Sequence, residues 1–132
     1  MIAGRVNETL EPLVEVGLKR GSTITMVLAM VDTGFSGTLC LAEQYIDLLD
    51  LEFKFVERYE LANGEVIVKD VFRGRVVFDG REHEVDLILT ASQDTLIGAS
   101  LLKDYTLSID YPGRTVRIKR AARRVRTARR LS

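Results

Sequence analysis

Hydrophobic and polar residues along this chain fall mostly into short runs bounded by turn residues. Residues 13–18 alternate in the manner of a half-buried strand. A turn signal at Gly21-Ser22 separates them from residues 23–31, which begin alternating and end as an apolar run, the pattern of a strand passing into a core. That run stops at Asp32-Thr33-Gly34. In residues 41–51, Leu41, Tyr45, Leu48 and Leu49 fall near helical spacing with no glycine or proline between them, so a helix is predicted there. Strand composition returns at residues 53–61, 66–72, 75–78 and 85–89, punctuated by Asn63-Gly64 and Asp79-Gly80, both strong hairpin signals. Leu96-Ile97-Gly98 leads into a short helix over residues 99–103. Strands at 107–111 and 115–118, joined through Pro112-Gly113, end the patterned region. Many short strands with regular turns predict a mainly β domain, sandwich-like or closed.

Residues 119–132 differ. They hold seven basic residues and no acidic one, with Ala121, Val125, Ala128 and Leu131 at three- and four-residue steps. Either a basic amphipathic helix or a solvated tail fits this pattern. The expected organisation is therefore a domain over 1–118 and a basic tail over 119–132.

Charge sharpens that division. The chain has 132 residues, 19 acidic and 19 basic, for a formal net charge of zero. All the acidic residues lie at or before Asp110, against ten basic ones, so residues 1–110 carry −9 and residues 111–132 carry +9. The length suits one domain and excludes a two-lobed enzyme. No apolar stretch is long enough to span a membrane, and no signal peptide is recognisable at the N-terminus, so a cytoplasmic protein is expected. A single cysteine, Cys40, excludes an internal disulfide, and a single histidine, His83, argues against a histidine-rich metal site. No metal or cofactor is expected. Cys40, between two leucines, reads as a small core residue, and His83 as a solvated surface residue. The acidic groups Glu82/Glu84/Asp86 and Asp47/Asp50/Glu52 lack the spacing of a calcium loop and read as solvated faces.

The remaining chemistry lies at Asp32. An apolar strand ending in an aspartate carries a carboxylate from the core to a rim, and the glycine two residues on lets the backbone turn and a second chain approach. About sixty residues later comes Thr95-Leu96-Ile97-Gly98-Ala99-Ser100-Leu101-Leu102, and between the two lies Leu61-Ala62-Asn63-Gly64-Glu65-Val66. With these three elements in this order, residues 4 to 118 resemble the retropepsin-like aspartic proteases, the single-lobe relatives of pepsin. The resemblance looks closest to their small prokaryotic branch, through Gly4-Arg5-Val6-Asn7, Asp32 to Gly37, and Leu61 to Gly64.

The resemblance implies a closed β barrel with one or two short helices and a flap hairpin near residues 59–68. It implies an aspartic endopeptidase acting on extended peptide or protein substrates as a homodimer, because this chain carries one Asp-Thr-Gly and two carboxylates must face one water. Asp32 would be the catalytic residue, with Thr33 and Gly34 supporting the site. Phe35, Leu61, Ala62, Asn63, Gly64 and Glu65 would contact substrate, and Leu96, Ile97 and Gly98 would form the second motif beneath the site. Ser36 and Ala99 stand where retroviral members have an acidic residue and an arginine that brace the dimer; both partners are absent together, so no charge is orphaned. The other reading is a dimerisation or peptide-binding module of the same fold with little or no catalysis. Nucleic-acid contact, if any, would run through Arg123, Arg124, Arg126, Arg129 and Arg130. The aromatic set Phe53, Phe55, Tyr59, Phe72 and Phe78 is expected to serve as core and pocket wall.

Overall fold

A computed structural model describes residues 1–122; the basic residues Arg123, Arg124, Arg126, Arg129 and Arg130 lie outside them. The chain is mainly β. Its strands are β1 (Ile2–Val6), β2 (Pro12–Arg20), β3 (Thr23–Val31), β4 (Leu39–Ala42), β5 (Glu52–Glu60), β6 (Val66–Phe78), β7 (Arg81–Thr90), β8 (Leu96–Ile97), β9 (Tyr105–Asp110) and β10 (Thr115–Arg120). A 3-10 helix covers Glu43–Leu48, and one short α-helix, α1, covers Ala99–Leu102. The strands join in the order β5-β6-β7-β4-β8-β3-β2-β1-β10-β9, and β2 also pairs with β6 through Gly17↔Val77, Leu18↔Val76 and Lys19↔Arg75.

Turn chemistry sets the registers. Asp79 and Gly80 both take positive φ, 54° and 69°, so the two-residue turn between Phe78 and Arg81 matches the right-handed twist of its flanking strands. Asn63-Gly64 behaves differently from a two-residue hairpin turn. The last ladder pair is Glu60↔Val66, and a wider tip follows, closed by the Leu61 amide donating to the Glu65 carbonyl at 2.7 Å. Gly64 supplies the positive φ, 85°, and Asn63 Oδ1 accepts from the Glu65 amide at 2.9 Å.

Alternation along the strands builds the core. On β3, Val27, Ala29 and Val31 are buried, whereas Ile24, Met26 and Leu28 are exposed. The apolar run is thus one core face plus one apolar outer face. On β10, Val116 and Ile118 are fully buried while Arg117, Lys119 and Arg120 are exposed. The arginine-bearing end of the domain is therefore an interior strand, held between β1 and β9. It runs two residues past the boundary expected at 118.

The helix predicted over 41–51 is replaced by β4 and the 3-10 helix. All four residues of β4 are buried, because it lies between β7 and β8. A strand covered on both faces shows no alternation and cannot be told from a buried helix by periodicity. The 3-10 helix buries none of its residues. Cys40 is buried, as expected. His83 is not the solvated residue expected: it is half-buried, with Nε2 enclosed and without a partner. The strand pairing Val76↔His83 explains this, since Val76 is fully buried and His83 stands beside it. The acidic residues of β7 sit across from basic ones on β6 and β2: Arg73 to Asp86 at 3.2 Å, Arg75 to Glu82 at 3.6 Å and Lys19 to Glu82 at 2.8 Å.

Candidate active site

β3 ends at buried Val31, and the chain turns out of the sheet at Asp32, which is half-buried. Two backbone bonds fix this exit against β8. The Met30 amide donates to the Thr95 carbonyl at 2.8 Å, and the Asp32 amide donates to the Ile97 carbonyl at 2.9 Å. The loop then closes on itself. Asp32 Oδ1 accepts from the Gly34 amide at 3.0 Å, and the Asp32 carbonyl accepts from the Phe35 amide at 3.1 Å. One carboxylate oxygen is thereby oriented by the loop's own backbone. Thr33 and Gly34 are exposed at the tip.

The segment after β8 forms the floor. The Gly98 amide donates to the Thr38 carbonyl at 3.0 Å, Ala99 to Phe35 at 2.8 Å and Ser100 to Gly37 at 3.1 Å. Ser100 Oγ also donates to the Ser36 carbonyl. Asp32 to Thr38 is thus tied along its length to residues 97–100, and Ser36 and Ala99 take part through backbone atoms. Gly98 is required by space rather than by φ, which is an ordinary −97°. A Cβ there would collide with the Gly37 and Phe35 carbonyl oxygens and come within 2.7 Å of the Phe35 ring. A Cβ on Gly37 would strike the same ring. Phe35 therefore lies against two glycines, and it also walls a neighbouring cleft.

Asp32, Thr33, Gly34 and Phe35 are brought together with Leu96, Ile97 and Gly98. The tip residues Leu61, Ala62, Asn63, Gly64 and Glu65 are not. They end the β5–β6 hairpin, with Leu61 41% exposed. What meets the loop is the hairpin's shaft. Phe55, Glu57 and Tyr59 share with Phe35, Gly37 and Ser100 a cleft of about 210 Å³. A larger cleft, about 370 Å³, is lined by Lys19, Asp50, Arg73 and Arg75 and has no residue of the Asp32 loop in its wall. Of the aromatic set, Phe78 is core and Phe55 and Tyr59 are cleft wall, but Phe53 is 54% exposed and packs edge-on against Phe72.

Two further residues hold the site. Thr95, 2% exposed, accepts the Ala42 amide on its hydroxyl at 3.1 Å and the Met30 amide on its carbonyl, so it joins the ends of β3 and β4. Thr38 Oγ1 donates to the Asp86 carbonyl and ties the loop to β7. A lone threonine before an apolar pair was the available sequence signal for Thr95. Nothing in the sequence marked Thr38.

No protein-family model matches the chain, and no curated protein matches it by sequence. Solved structures do. A retropepsin-like aspartic protease from Rickettsia conorii superposes with a TM-score of 0.64 at 21% identity, over 89% of each chain. The simian foamy virus protease superposes with a TM-score of 0.52 at 19% identity, over 69% of this chain and 91% of its own. The fold is retropepsin-like. Among the described residues no group of histidine, cysteine and carboxylate side chains is placed to hold a metal ion, and no helix is long and apolar enough to cross a membrane.

Proposed function

We propose that the protein is an aspartic endopeptidase, active as a homodimer in which each chain contributes Asp32. The observation that carries this reading is the Asp32 loop itself: a carboxylate at the mouth of an apolar strand, oriented by the Gly34 amide and laid on Leu96-Ile97-Gly98. The β2–β6 pairing supports closure of the strands into a barrel that would hold this loop rigidly. Two Asp32 carboxylates meeting on a two-fold axis cannot both ionise cheaply, so they share one proton. The ionised member takes a proton from the bound water as general base, and the protonated member donates to the scissile carbonyl oxygen. Thr33, exposed at the loop tip, hydrogen-bonds across the dimer, and Gly34 lets the two loops approach. The β5–β6 hairpin acts as the flap: its tip at residues 61–65 closes over an extended substrate and excludes water. Because the side chains of Ser36 and Ala99 carry no charge, the dimer is braced by other groups than the retroviral ion pair.

The test is cleavage of a denatured protein by wild type and Asp32→Asn across acidic to neutral pH. Wild type cuts, with mildly acidic conditions favoured and a statine-type peptide blocking it. Asp32→Asn does not cut, yet keeps its circular dichroism and its oligomeric state. A wild type that cuts no peptide library at any pH leaves only the non-catalytic reading.

A further inference from the structure

The cleft beside the Asp32 loop has an uncompensated charge. Its apolar walls are Phe35, Phe55, Val71 and Ile88, and Glu57 and Asp86 are its two carboxylates. Asp86 is engaged by Arg73 at 3.2 Å. Glu57 has no cationic partner: it makes no ion pair among the described residues. Its cross-strand neighbour is Lys69, but Lys69 Nζ reaches the Leu89 carbonyl at 3.4 Å instead. Tyr59 is a further polar group of the cleft, and burial, then the adjacent Glu57 carboxylate, hold its phenol above the usual range. No cationic side chain lines the cleft.

We propose that this cleft is a specificity subsite for a lysine or arginine side chain of the substrate, with Glu57 as its counter-ion. The inference rests on the protease reading above. About 210 Å³ holds one long side chain. The methylene stem of lysine or arginine packs along Phe35, Phe55 and Val71 while its charged head reaches the carboxylate, the usual division of such side chains between apolar and polar surroundings. An acidic side chain placed there meets two carboxylates and no cation.

The experiment uses the full chain and a peptide series in which one lysine, norleucine or glutamate is moved through the positions flanking the cleaved bond. Wild type favours lysine over norleucine by roughly two- to fivefold in kcat/KM at one position, and the preference shrinks as salt is raised. Glu57→Gln removes the preference, and Glu57→Lys inverts it toward glutamate. Cleavage that is indifferent to lysine at every position overturns the subsite and leaves the protease reading standing. If wild type cuts none of the peptides, the protease reading fails, and binding of the same series by fluorescence anisotropy decides the cleft separately. Lysine-dependent binding lost in Glu57→Gln supports a cation-binding cleft, and equal binding of all three peptides overturns it.

Discussion

Gly98→Ala tests whether the floor of the Asp32 loop is as closely packed as described. The φ of −97° is open to alanine, so the cost is one of space alone. The added methyl would lie inside contact distance of three atoms: the Gly37 carbonyl oxygen, the Phe35 carbonyl oxygen and the Phe35 ring. The two oxygens accept the Ser100 and Ala99 amides at 3.1 and 2.8 Å, so moving them away stretches both bonds. Overpacking of this kind costs roughly 1–3 kcal/mol, and weakening two backbone hydrogen bonds adds about 1 kcal/mol. The expected loss is about 3 kcal/mol, a fall in the urea midpoint of roughly 1.5 M with an unchanged slope. Unfolding is followed by circular dichroism or by the four tyrosines, since there is no tryptophan. Gly37→Ala is the internal comparison. The three atoms nearest its Cβ all belong to the Phe35 ring, a side chain that can shift, so the loss is about 1 kcal/mol. A Gly98→Ala protein within about 1 kcal/mol of wild type, or one no less stable than Gly37→Ala, would refute the packing described.

Gly64→Ala costs about 1 kcal/mol for the opposite reason, since its φ is 85° but nothing lies within 4 Å of the added methyl; urea unfolding measures it. Burial pushes the Cys40 thiol up, so at pH 8 iodoacetamide labels the native protein far more slowly than the urea-unfolded one, read by mass spectrometry. Glu11 is held below the usual carboxylate range by hydrogen bonds from Thr9 and Asn7, and Glu82 by Lys19. In the acid range the unfolded chain therefore binds more protons, so their stabilisation is present above the ordinary glutamate range and is lost as pH falls through the lowered folded values, with Glu82→Gln flattening that loss. Removing 119–132 lowers the urea midpoint, because it takes Lys119 and Arg120 from their pairing with Thr106 and Tyr105 and the Ala121 amide from the Asp104 carbonyl.

Much of this molecule was legible in the chain because its strands are half-buried. Residues 23–31, 107–111 and 115–118 announce themselves by alternation and by the turns that bound them, and Asp79-Gly80 dictates its hairpin. Three strands were hidden. β4 is buried on both faces and so lacks a period, β8 is two residues long, and β1 takes its register from β10, more than a hundred residues away. At the site, Asp32 and Leu96-Ile97-Gly98 could be named in advance because each combines an apolar run with a sharp stop. Phe55 and Tyr59 were expected only as part of a core and pocket-wall set, and Glu57 was not singled out. Phe55, Glu57 and Tyr59 face the loop only because the β5 register shifts between Phe53 and Phe55, where the regular alternation of the strand is broken. Thr38 and Ser100 act through carbonyls forty-eight and sixty-four residues away, which no local pattern encodes.

In the proposed enzyme two Asp32 carboxylates form one catalytic centre. The most direct measurement is their separation in a crystal structure of the assembled protein with a statine-type peptide bound. The expected result is a two-fold dimer in which the inner carboxyl oxygens lie within hydrogen-bonding distance, roughly 2.5–3.0 Å, around the ligand hydroxyl. A dimer that holds the two Asp32 side chains well beyond that range, with the peptide bound elsewhere, contradicts it.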